Sequence, residues 1–205
     1  MDYSFDGFIY PVVNKERCIN CGLCLNKCPV HFLPEFYYPK KTKIALTKDE
    51  KNLVDSTSGG VFFTLGYYVI NKLKGYVCGA VFDDDFRVEH ILSNDFADLK
   101  RMQGSKYVQS DISKCLAEIK YKLHEDIFVL FSGTPCQCAA VKKYINEEEQ
   151  KKLILVDLVC HGVPSPLLWK REIDQLKKTY KISDFHFRWK DKYEKTGFSY
   201  KLIVD

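Results

Sequence analysis

Hydrophobic positions through the middle of the chain alternate between a period typical of strands and one typical of helices. Short apolar runs bounded by turn residues predict four strands, over residues 76–82, 87–92, 127–131 and 153–159. Apolar residues at helical spacing predict two long helices, over residues 61–73 and 112–123. Because strands and helices alternate, we expect an α/β domain (mixed α+β). Its central sheet should be mixed and partly parallel, with helices on its flanks.

Capping and turn residues mark the ends of several elements. Ser110 is placed to cap the second of these helices, and Pro166 suits the first position of a later helix. Residues 182–189 and 198–204 predict a hairpin around Gly197. The first helix should turn an apolar face inward, formed by Val61, Phe62, Leu65, Tyr68, Val69 and Leu73.

The first 40 residues follow neither period. They hold four cysteines within eleven positions and are punctuated by four prolines. The charge run over residues 40–43 is typical of a solvated linker. We therefore expect two units, a small irregular segment over residues 1–40 and the α/β domain over residues 41–205.

The composition is that of an ordinary globular protein, with 205 residues of which 46% are hydrophobic and 28% charged. A net charge of +4 does not by itself indicate a nucleic-acid binder, and we expect no such partner. The longest apolar runs are strand-sized and the first residues lack the apolar core of a signal peptide, so no membrane span is expected. These features favour a reducing cytoplasm, where clustered cysteines bind metal or act as catalytic thiols more often than they form disulfides.

The most specific pattern is a cysteine run closed by a proline, with the spacing of a bacterial ferredoxin loop around a 4Fe–4S cluster. Its members are Cys18, Cys21, Cys24, Cys28 and Pro29. Structural zinc sites usually use two separated pairs of ligands, so the spacing favours iron–sulfur over zinc. In two-cluster ferredoxins the fourth cysteine of such a run ligates the other cluster. Here Cys28 either serves the same cluster or leaves the fourth ligand to come from elsewhere.

Two further cysteines, Cys136 and Cys160, each follow an apolar strand. A thiol at a helix N-terminus, or one beside a histidine such as His161, is a conceivable nucleophile. We favour metal or cluster ligation, because the carboxyl ends of neighbouring strands are where α/β sheets collect ligands. If the intervening helix makes a right-handed crossover, the two strands are parallel and adjacent, and the two sulfurs should converge.

The remaining cysteines are expected to be packing residues. Cys78 lies in an apolar strand and Cys115 on an apolar helix face, and Cys138 is more consistent with packing than with ligation. Four histidines show no partner in the sequence, and surface or hydrogen-bonded roles are expected for His31, His90, His124 and His186. Only His161 is a functional candidate among the histidines.

Seven short stretches together resemble the β-subunit family of coenzyme F420 hydrogenases and dehydrogenases, in its bacterial ferredoxin-fused branch. They occur in the family's order and spacing over nearly the whole chain. They lie at residues 7–11, 18–29, 58–62, 79–82, 104–110, 131–137 and 160–165, with Phe187 and Arg188 following.

This resemblance implies an iron–sulfur flavoprotein oxidoreductase subunit that works with a redox partner protein or subunit. Electrons would pass between 4Fe–4S clusters and FAD, and on to a deazaflavin or another acceptor. Cys136 and Cys160 match positions that ligate the cluster near the flavin. Two loops match the flavin region, with candidate residues Ser58, Gly59, Gly60, Gly104, Ser105, Lys106 and Tyr107.

A phosphate group could bind at the first loop, because a glycine-rich helix start presents bare N–H groups that donate to phosphate oxygens. A valine at Gly60 should then block FAD while leaving the fold intact. Ordinary helix capping and a tight turn are the alternative for both loops.

Members of this branch carry an additional cysteine run upstream and a further Cys-x2-Cys downstream, and this sequence contains neither. The resemblance therefore implies an internal piece of a longer protein, with a partial ferredoxin-type segment and a β-subunit domain truncated at its C-terminal end. Two other functions stay open on the sequence alone. One is a catalytically incomplete fragment or accessory protein linked to surface-polysaccharide synthesis, and the other is a zinc-stabilised binding module.

Overall fold

The computed structural model describes residues 2–31, 39–189 and 199–205. Within these ranges the helices are α1 to α7, at Leu23–Lys27, Glu50–Asp55, Val61–Asn71, Phe96–Met102, Ser113–His124, Pro135–Tyr144 and Pro166–Leu176. The strands are β1 to β8, at Asp2–Tyr3, Ile9–Tyr10, Tyr76–Phe82, Val88–Ser93, Val129–Gly133, Leu153–Asp157, Ile182–Trp189 and Ser199–Val204. A short 3-10 helix, Glu149–Lys152, precedes β6.

The central sheet has four strands in the order β4-β3-β5-β6. β3 and β4 form an antiparallel hairpin, whereas β3 pairs with β5, and β5 with β6, in parallel. The expected mixed, partly parallel α/β sheet is therefore confirmed. β7 and β8 form a separate antiparallel pair, as the sequence predicts, although Gly197 lies outside the described residues.

Helices cover both faces of the sheet, which explains why its central strands are almost continuously apolar. Alternate residues of a strand point to opposite faces. Toward α3 and α4 the sheet buries Val77, Val81 and Leu130, and toward α5 and α6 it buries Cys78, Val129 and Phe131. A third cluster lies under the β7–β8 pair, where Trp169 and Ile173 of α7 pack against Phe185.

The predicted inward face of α3 is confirmed at Phe62, Val69 and Leu73, which pack in the core, but not at its three other residues. Val61, Leu65 and Tyr68 are exposed, whereas Gly66, Val69 and Ile70 are buried. The reason is a close approach to α4, because a Cβ at Gly66 would lie 2.5 Å from Cδ1 of Leu99. Leu99 is fully buried, so the one residue of α3 without a side chain is the one that faces it.

The sequence does not predict one helix, α2, and misplaces the start of another, α5. Hydrophobic periodicity carries no signal for α2, whose start is capped by Asp49 accepting from the Asn52 amide at 3.0 Å. Ser110 does not cap α5, because that helix begins three residues later with Ile112 at the N-cap. In the irregular segment after Gly104, Asp111 forms a single parallel bridge with Glu89 of β4.

The N-terminal segment is attached to the α/β domain at several points. Its β1–β2 hairpin places Gly7 so close to α7 that a Cβ there would lie 2.5 Å from Cβ of Leu167. Farther along, Lys27 of α1 donates to the carbonyl of Lys143 in α6 at 2.5 Å. Within the described ranges, no helix combines the length and apolar character needed to cross a membrane.

The contact between α3 and α4 predicts that Gly66→Val lowers the free energy of unfolding by about 1–3 kcal/mol, because fully buried Leu99 has no space into which to move. Leu65→Val is the matched control, since it also places valine in α3 but at an exposed position, where we expect a change within about 0.5 kcal/mol. Urea denaturation measures both, and equal losses would contradict close packing between the two helices.

Candidate functional site

The two glycine-containing loops predicted to form the flavin region lie in direct contact. The backbone amide of Ser105 donates to Oγ1 of Thr57 at 3.0 Å, and the Ser105 hydroxyl lies 3.2 Å from the same oxygen. These residues are 48 positions apart in the sequence. The structure therefore brings the two predicted loops together into one site.

A buried polar network beneath the loops fixes this contact. The side-chain amide of Gln103 donates to Oδ1 of Asn52 at 2.8 Å and to Oγ of Ser56 at 2.7 Å. Asn52 is itself buried and donates to the carbonyl of Gly60 at 3.2 Å. Because a half-satisfied buried network would be costly, these amides hold both loops in one arrangement.

Gly60 is required by the backbone and by packing, whatever it binds. It is the N-cap of α3 with φ of +73°, the left-handed region that favours glycine. A Cβ there would lie 2.6 Å from Cγ2 of Thr47 and 3.2 Å from the amide of Asn52. The expectation that Gly60→Val would leave the fold intact is therefore wrong. Gly59 is equally confined, since its Cβ would lie 2.6 Å from the carbonyl oxygen of Ala45.

Gly104 has the opposite surroundings. It also has a positive φ, of +82°, but a Cβ there would meet nothing within 4 Å among the described residues. The space beside it belongs to a cavity of about 210 Å³. The cavity lies between the two loops and β7, and it is lined by Val54, Asp55, Ser56, Thr57, Lys100, Gln103, Gly104, His186, Phe187, Arg188 and Trp189.

The lining combines flat aromatic surface with basic side chains. Phe187 and Trp189 contribute rings, and the positive charges of Lys100 and Arg188 outnumber the single negative charge of Asp55. Such a combination suits an aromatic ligand that carries negative charge, since cations and aromatic faces together recognise it. Ser58, an exposed residue of the first loop, and Tyr107, whose hydroxyl accepts from Arg188 at 3.4 Å, lie in the segments that border this cavity.

Lys106 closes the end of α4. Its ammonium donates to the carbonyls of Arg101 at 2.6 Å and Gln103 at 2.9 Å, and so provides donors for carbonyls at a helix C-terminus that have no partner within the helix. Burial lowers the pKa of Lys106 to about 7, with Asp184 acting in the opposite direction and Arg101 in the same one. Through these two hydrogen bonds Lys106 holds the second glycine-containing loop against the C-terminal end of α4.

Cys136 and Cys160 lie at the carboxyl ends of adjacent parallel strands, and this part of their prediction is confirmed. Gly133 of β5 is paired with Asp157 of β6, and each cysteine follows its paired residue by three positions. Both thiols are exposed. Oγ1 of Thr134 lies 3.1 Å from the sulfur of Cys136, and the amide of Gly162 donates to the sulfur of Cys160 at 3.4 Å. Convergence of the two sulfurs on one cluster stays a prediction.

Gln137 ties the Cys136 loop to the rest of the site. Its oxygen accepts from the amide of Thr134 at 3.1 Å, which completes a capping box at the start of α6. Its nitrogen donates to the hydroxyl of Ser110 at 2.8 Å. The residue predicted to cap α5 therefore anchors the cysteine loop instead.

The sheet also brings the cysteine loops toward the second glycine-containing loop. Because β5 and β6 are parallel and paired, the residues that follow them leave the sheet at the same end, that of the strands' carboxyl termini. The segment after Gly104 reaches this end of the sheet at the start of β4, where Asp111 exchanges main-chain hydrogen bonds with Val88 and His90. The segment after Gly104 is therefore attached at this end of the sheet through β4, and to the Cys136 loop through the hydrogen bond from Gln137 to Ser110.

His90 is a buried group behind the Cys136 loop. Its Nε2 lies 2.9 Å from the carbonyl oxygen of Ser132, so Nε2 carries the proton and donates it. Its ring stacks on Phe131, with centroids 5.1 Å apart. Burial lowers the pKa of His90, and Lys106 adds to this whereas the Ser132 carbonyl and Asp111 oppose it. Among the described residues Nδ1 has no hydrogen-bond partner.

The N-terminal cysteines lie on a tight exposed segment. Cys18, Cys21 and Cys24 are exposed, and Cys28 is half-buried at the end of α1. The chain turns sharply between them, because Asn20 and Gly22 both have positive φ. The donor chemistry fits an iron–sulfur cluster, although no three His, Cys, Asp or Glu side chains of the described residues are gathered for a metal in this structure.

The three cysteines predicted to be packing residues are buried. Cys78 and Cys115 touch in the core, where burial raises the pKa of Cys78 and a hydrogen bond with Cys115 adds to the shift. Burial likewise raises the pKa of Cys138, and a hydrogen bond with Asp157 contributes. His161 is exposed, and its predicted functional role stays untested.

Sequence reasoning missed several residues that build the site. Asn52 and Gln103 form the buried network beneath the two loops. Thr57 connects the loops through its contact with Ser105. Nothing in hydrophobic periodicity marks such residues, because polar side chains in loops leave no period. Gln109 and Gln137 did lie within the stretches that carried the family resemblance, and that was their only signal, whereas Ser110 was also predicted as a helix cap.

Two family models match the chain. One describes the C-terminal part of the coenzyme F420 hydrogenase/dehydrogenase beta subunit and matches residues 128–201, and the other describes a 4Fe–4S binding domain and matches residues 11–33. The first match extends from β5 into β8 and includes both strand-end cysteines, and the second covers the N-terminal cysteine run. No curated protein sequence matches the chain.

Among solved structures, one that matches is a xenon-derivatised F420-reducing NiFe hydrogenase complex from Methanosarcina barkeri. The similarity covers 78% of this chain at a TM-score of 0.54 and 15% sequence identity. At that identity the likeness shows a shared fold. The chain spans 58% of the hydrogenase chain that it matches.

The different surroundings of two glycines with positive φ give a test of the site's construction. Gly60→Val and Gly104→Val both force a side chain into the left-handed region, but only the first also meets Thr47 and Asn52. We therefore expect Gly60→Val to cost about 1–3 kcal/mol more unfolding free energy than Gly104→Val, measured by urea denaturation. Equal costs would show that backbone strain alone accounts for both.

Proposed function

Since residues 128–201 match the model of the C-terminal part of the coenzyme F420 hydrogenase/dehydrogenase beta subunit, and residues 11–33 match a 4Fe–4S binding domain, we propose that the chain is an iron–sulfur flavoprotein oxidoreductase subunit. It would pass electrons between 4Fe–4S clusters and FAD, and on to a deazaflavin-type or other acceptor. A redox partner protein or subunit would supply or remove the electrons. The hydrogenase with a similar fold is itself a complex, which supports such a partner.

The observation that carries the flavin part of the proposal is the cavity between the two loops. It has an aromatic wall, basic side chains and a glycine with open space beside it. At about 210 Å³ it is smaller than the roughly 300–1,000 Å³ of pockets for drug-sized ligands. It would therefore hold one ring or phosphate portion of FAD, with the remainder along the surface. Lys100 and Arg188 would favour negative charge on that portion.

Two cysteine sets would hold iron–sulfur clusters. Cys18, Cys21 and Cys24 would provide three thiolates of the first cluster, with Cys28 either completing it or leaving the fourth place to another ligand. Cys136 and Cys160 would provide two ligands of the second. The hydroxyl of Thr134 and the amide of Gly162 are placed to donate to these sulfurs, and hydrogen bonds to sulfur are one of the terms that set cluster potentials.

The decisive experiment is anaerobic purification followed by ultraviolet–visible spectroscopy, with iron, zinc and flavin quantified. Iron–sulfur and flavin bands together support the proposal. Zinc without iron would instead indicate a zinc-stabilised module. Protein with neither metal nor flavin would contradict the proposal and favour a catalytically incomplete or accessory role.

For the first cluster, we expect Cys21→Ser to remove the iron bound by residues 18–28. The iron content should fall by about half if both clusters assemble, and completely if only this one does. Cys115→Ala is the control, because that thiol is buried in the core and should not bind iron. Iron content unchanged by Cys21→Ser would contradict the cluster assignment.

For the flavin, we expect Lys100→Glu to weaken FAD binding by about tenfold or more, because it reverses a charge that lines the cavity. Lys178→Glu is the matched control, an exposed lysine beyond the end of α7 that makes the same change in net charge. Fluorescence titration of the purified chain with FAD measures both. Equal affinity in the two variants would remove the cavity from the proposal.

A further inference from the structure

The N-terminal cysteine run is held against the α/β domain by contacts on both sides of it. Before the run, the main chain of Ile9 is bound by the side chain of Gln109. At the end of the run, Lys27 binds the carbonyl of Lys143. Cys18, Cys21 and Cys24 lie between these two attachments and do not themselves contact the domain through any hydrogen bond found within the described residues.

Gln109 binds Ile9 as a peptide group would. Its Oε1 accepts from the Ile9 amide at 2.7 Å, and its Nε2 donates to the Ile9 carbonyl at 2.8 Å. On its other side Ile9 pairs with Tyr3 in the β1–β2 hairpin. The carboxamide therefore satisfies both polar groups of Ile9 that face the domain, and it does so without a charge.

The main chain around Gln109 belongs to the candidate site. The backbone amide of Gln109 donates to the carbonyl of Pro164, four residues after Cys160. Its neighbour Ser110 accepts from Gln137, the residue after Cys136. On the other side, Ser105 of the same segment binds Thr57. Gln109 thus joins the N-terminal segment to the Cys160 loop, and its segment, through Ser110 and Ser105, is bonded to the Cys136 loop and to the loop that carries Thr57.

We propose that Gln109 is a positioning residue that fixes the N-terminal cysteine segment relative to the flavin-region cavity and the Cys136 and Cys160 loops. This rests on the proposed function in so far as the segment carries an iron–sulfur cluster and the cavity takes a flavin. Gln109 contacts neither group. It acts by holding the Ile9 main chain, and thereby the distance over which electrons pass.

Only glutamine has both the length and the paired donor and acceptor for this contact. A glutamate has the same shape and can still accept from the Ile9 amide, but its second oxygen faces the Ile9 carbonyl and cannot donate. A leucine of similar size can do neither. The series glutamine, glutamate, leucine therefore removes the two hydrogen bonds in steps.

The first measurement is hydrogen exchange at the Ile9 amide in the full chain, which needs no cofactor. We expect Gln109→Leu to lower its protection about tenfold and Gln109→Glu to lower it less, because the bond to the amide remains. Gln150→Leu is the matched control. Gln150 also binds main-chain carbonyls through its amide, those of Lys142 and Ile145, but it should leave Ile9 unchanged.

The second measurement is the rate of flavin reduction through the clusters in the loaded protein, by anaerobic stopped flow. We expect Gln109→Leu to slow it by roughly tenfold or more, with iron content, flavin content and both absorption spectra as in the wild type. The glutamate variant should be intermediate and Gln150→Leu normal.

The outcomes separate the two proposals. Unchanged Ile9 protection in Gln109→Leu overturns the positioning role, as does lost protection with an unchanged rate, which would mean that the contact is only structural. Loss of iron or flavin in Gln109→Leu alone also overturns it, since the residue would then be needed for loading. If the wild-type chain binds neither iron nor flavin, the proposed function fails, and with it the electron-transfer role of Gln109.

Discussion

The arrangement of the candidate site depends on one irregular segment, residues 103–111, to which the surrounding loops are hydrogen-bonded. Gln103 binds the loop before α3, Ser105 binds Thr57, Gln109 binds Ile9, and Ser110 accepts from Gln137. An irregular segment must satisfy its polar groups outside helices and sheets. Here it does so by bonding to other loops, so the position of each loop is set relative to all the others.

Hydrophobic periodicity in the sequence was sufficient to predict the strands and helices of the α/β domain that have a regular apolar pattern. The strand over residues 76–82 was predicted with its observed ends, and the parallel pairing of β5 with β6 followed from the helix between them. Prediction from periodicity failed where a single side-chain contact determines which face of a helix is buried or where a helix begins. The face of α3 is set by the space that Gly66 leaves for Leu99, and neither residue signals the other in the sequence. The start of α5 was misplaced because Ser110 binds Gln137 rather than its own helix.

Glycine-containing motifs show why the site could be located from sequence but not its internal roles. Gly60 and Gly104 both belong to stretches that resemble the flavin region, and both have positive φ. Gly60 is enclosed by Thr47 and Asn52, so it serves the fold, whereas Gly104 opens onto the cavity. A sequence motif records only that a side chain is absent at such a position. Whether that absence makes room for the protein or for a ligand depends on the side chains around the position, such as that of Asn52, eight residues before Gly60.

The nine cysteines divide in the same way by surroundings. Cys78, Cys115 and Cys138 are buried among apolar side chains, where burial raises the pKa of Cys78 and Cys138 and keeps their thiols protonated. The six others lie in loops or at helix ends, and five of them are exposed. Metal ligation requires a thiolate, which the buried positions disfavour by desolvation and the exposed ones do not. Exposure thus selects, on physical grounds independent of spacing, five of the six cysteines that the sequence pattern selects as ligands, and the sixth, Cys28, is half-buried at the end of α1.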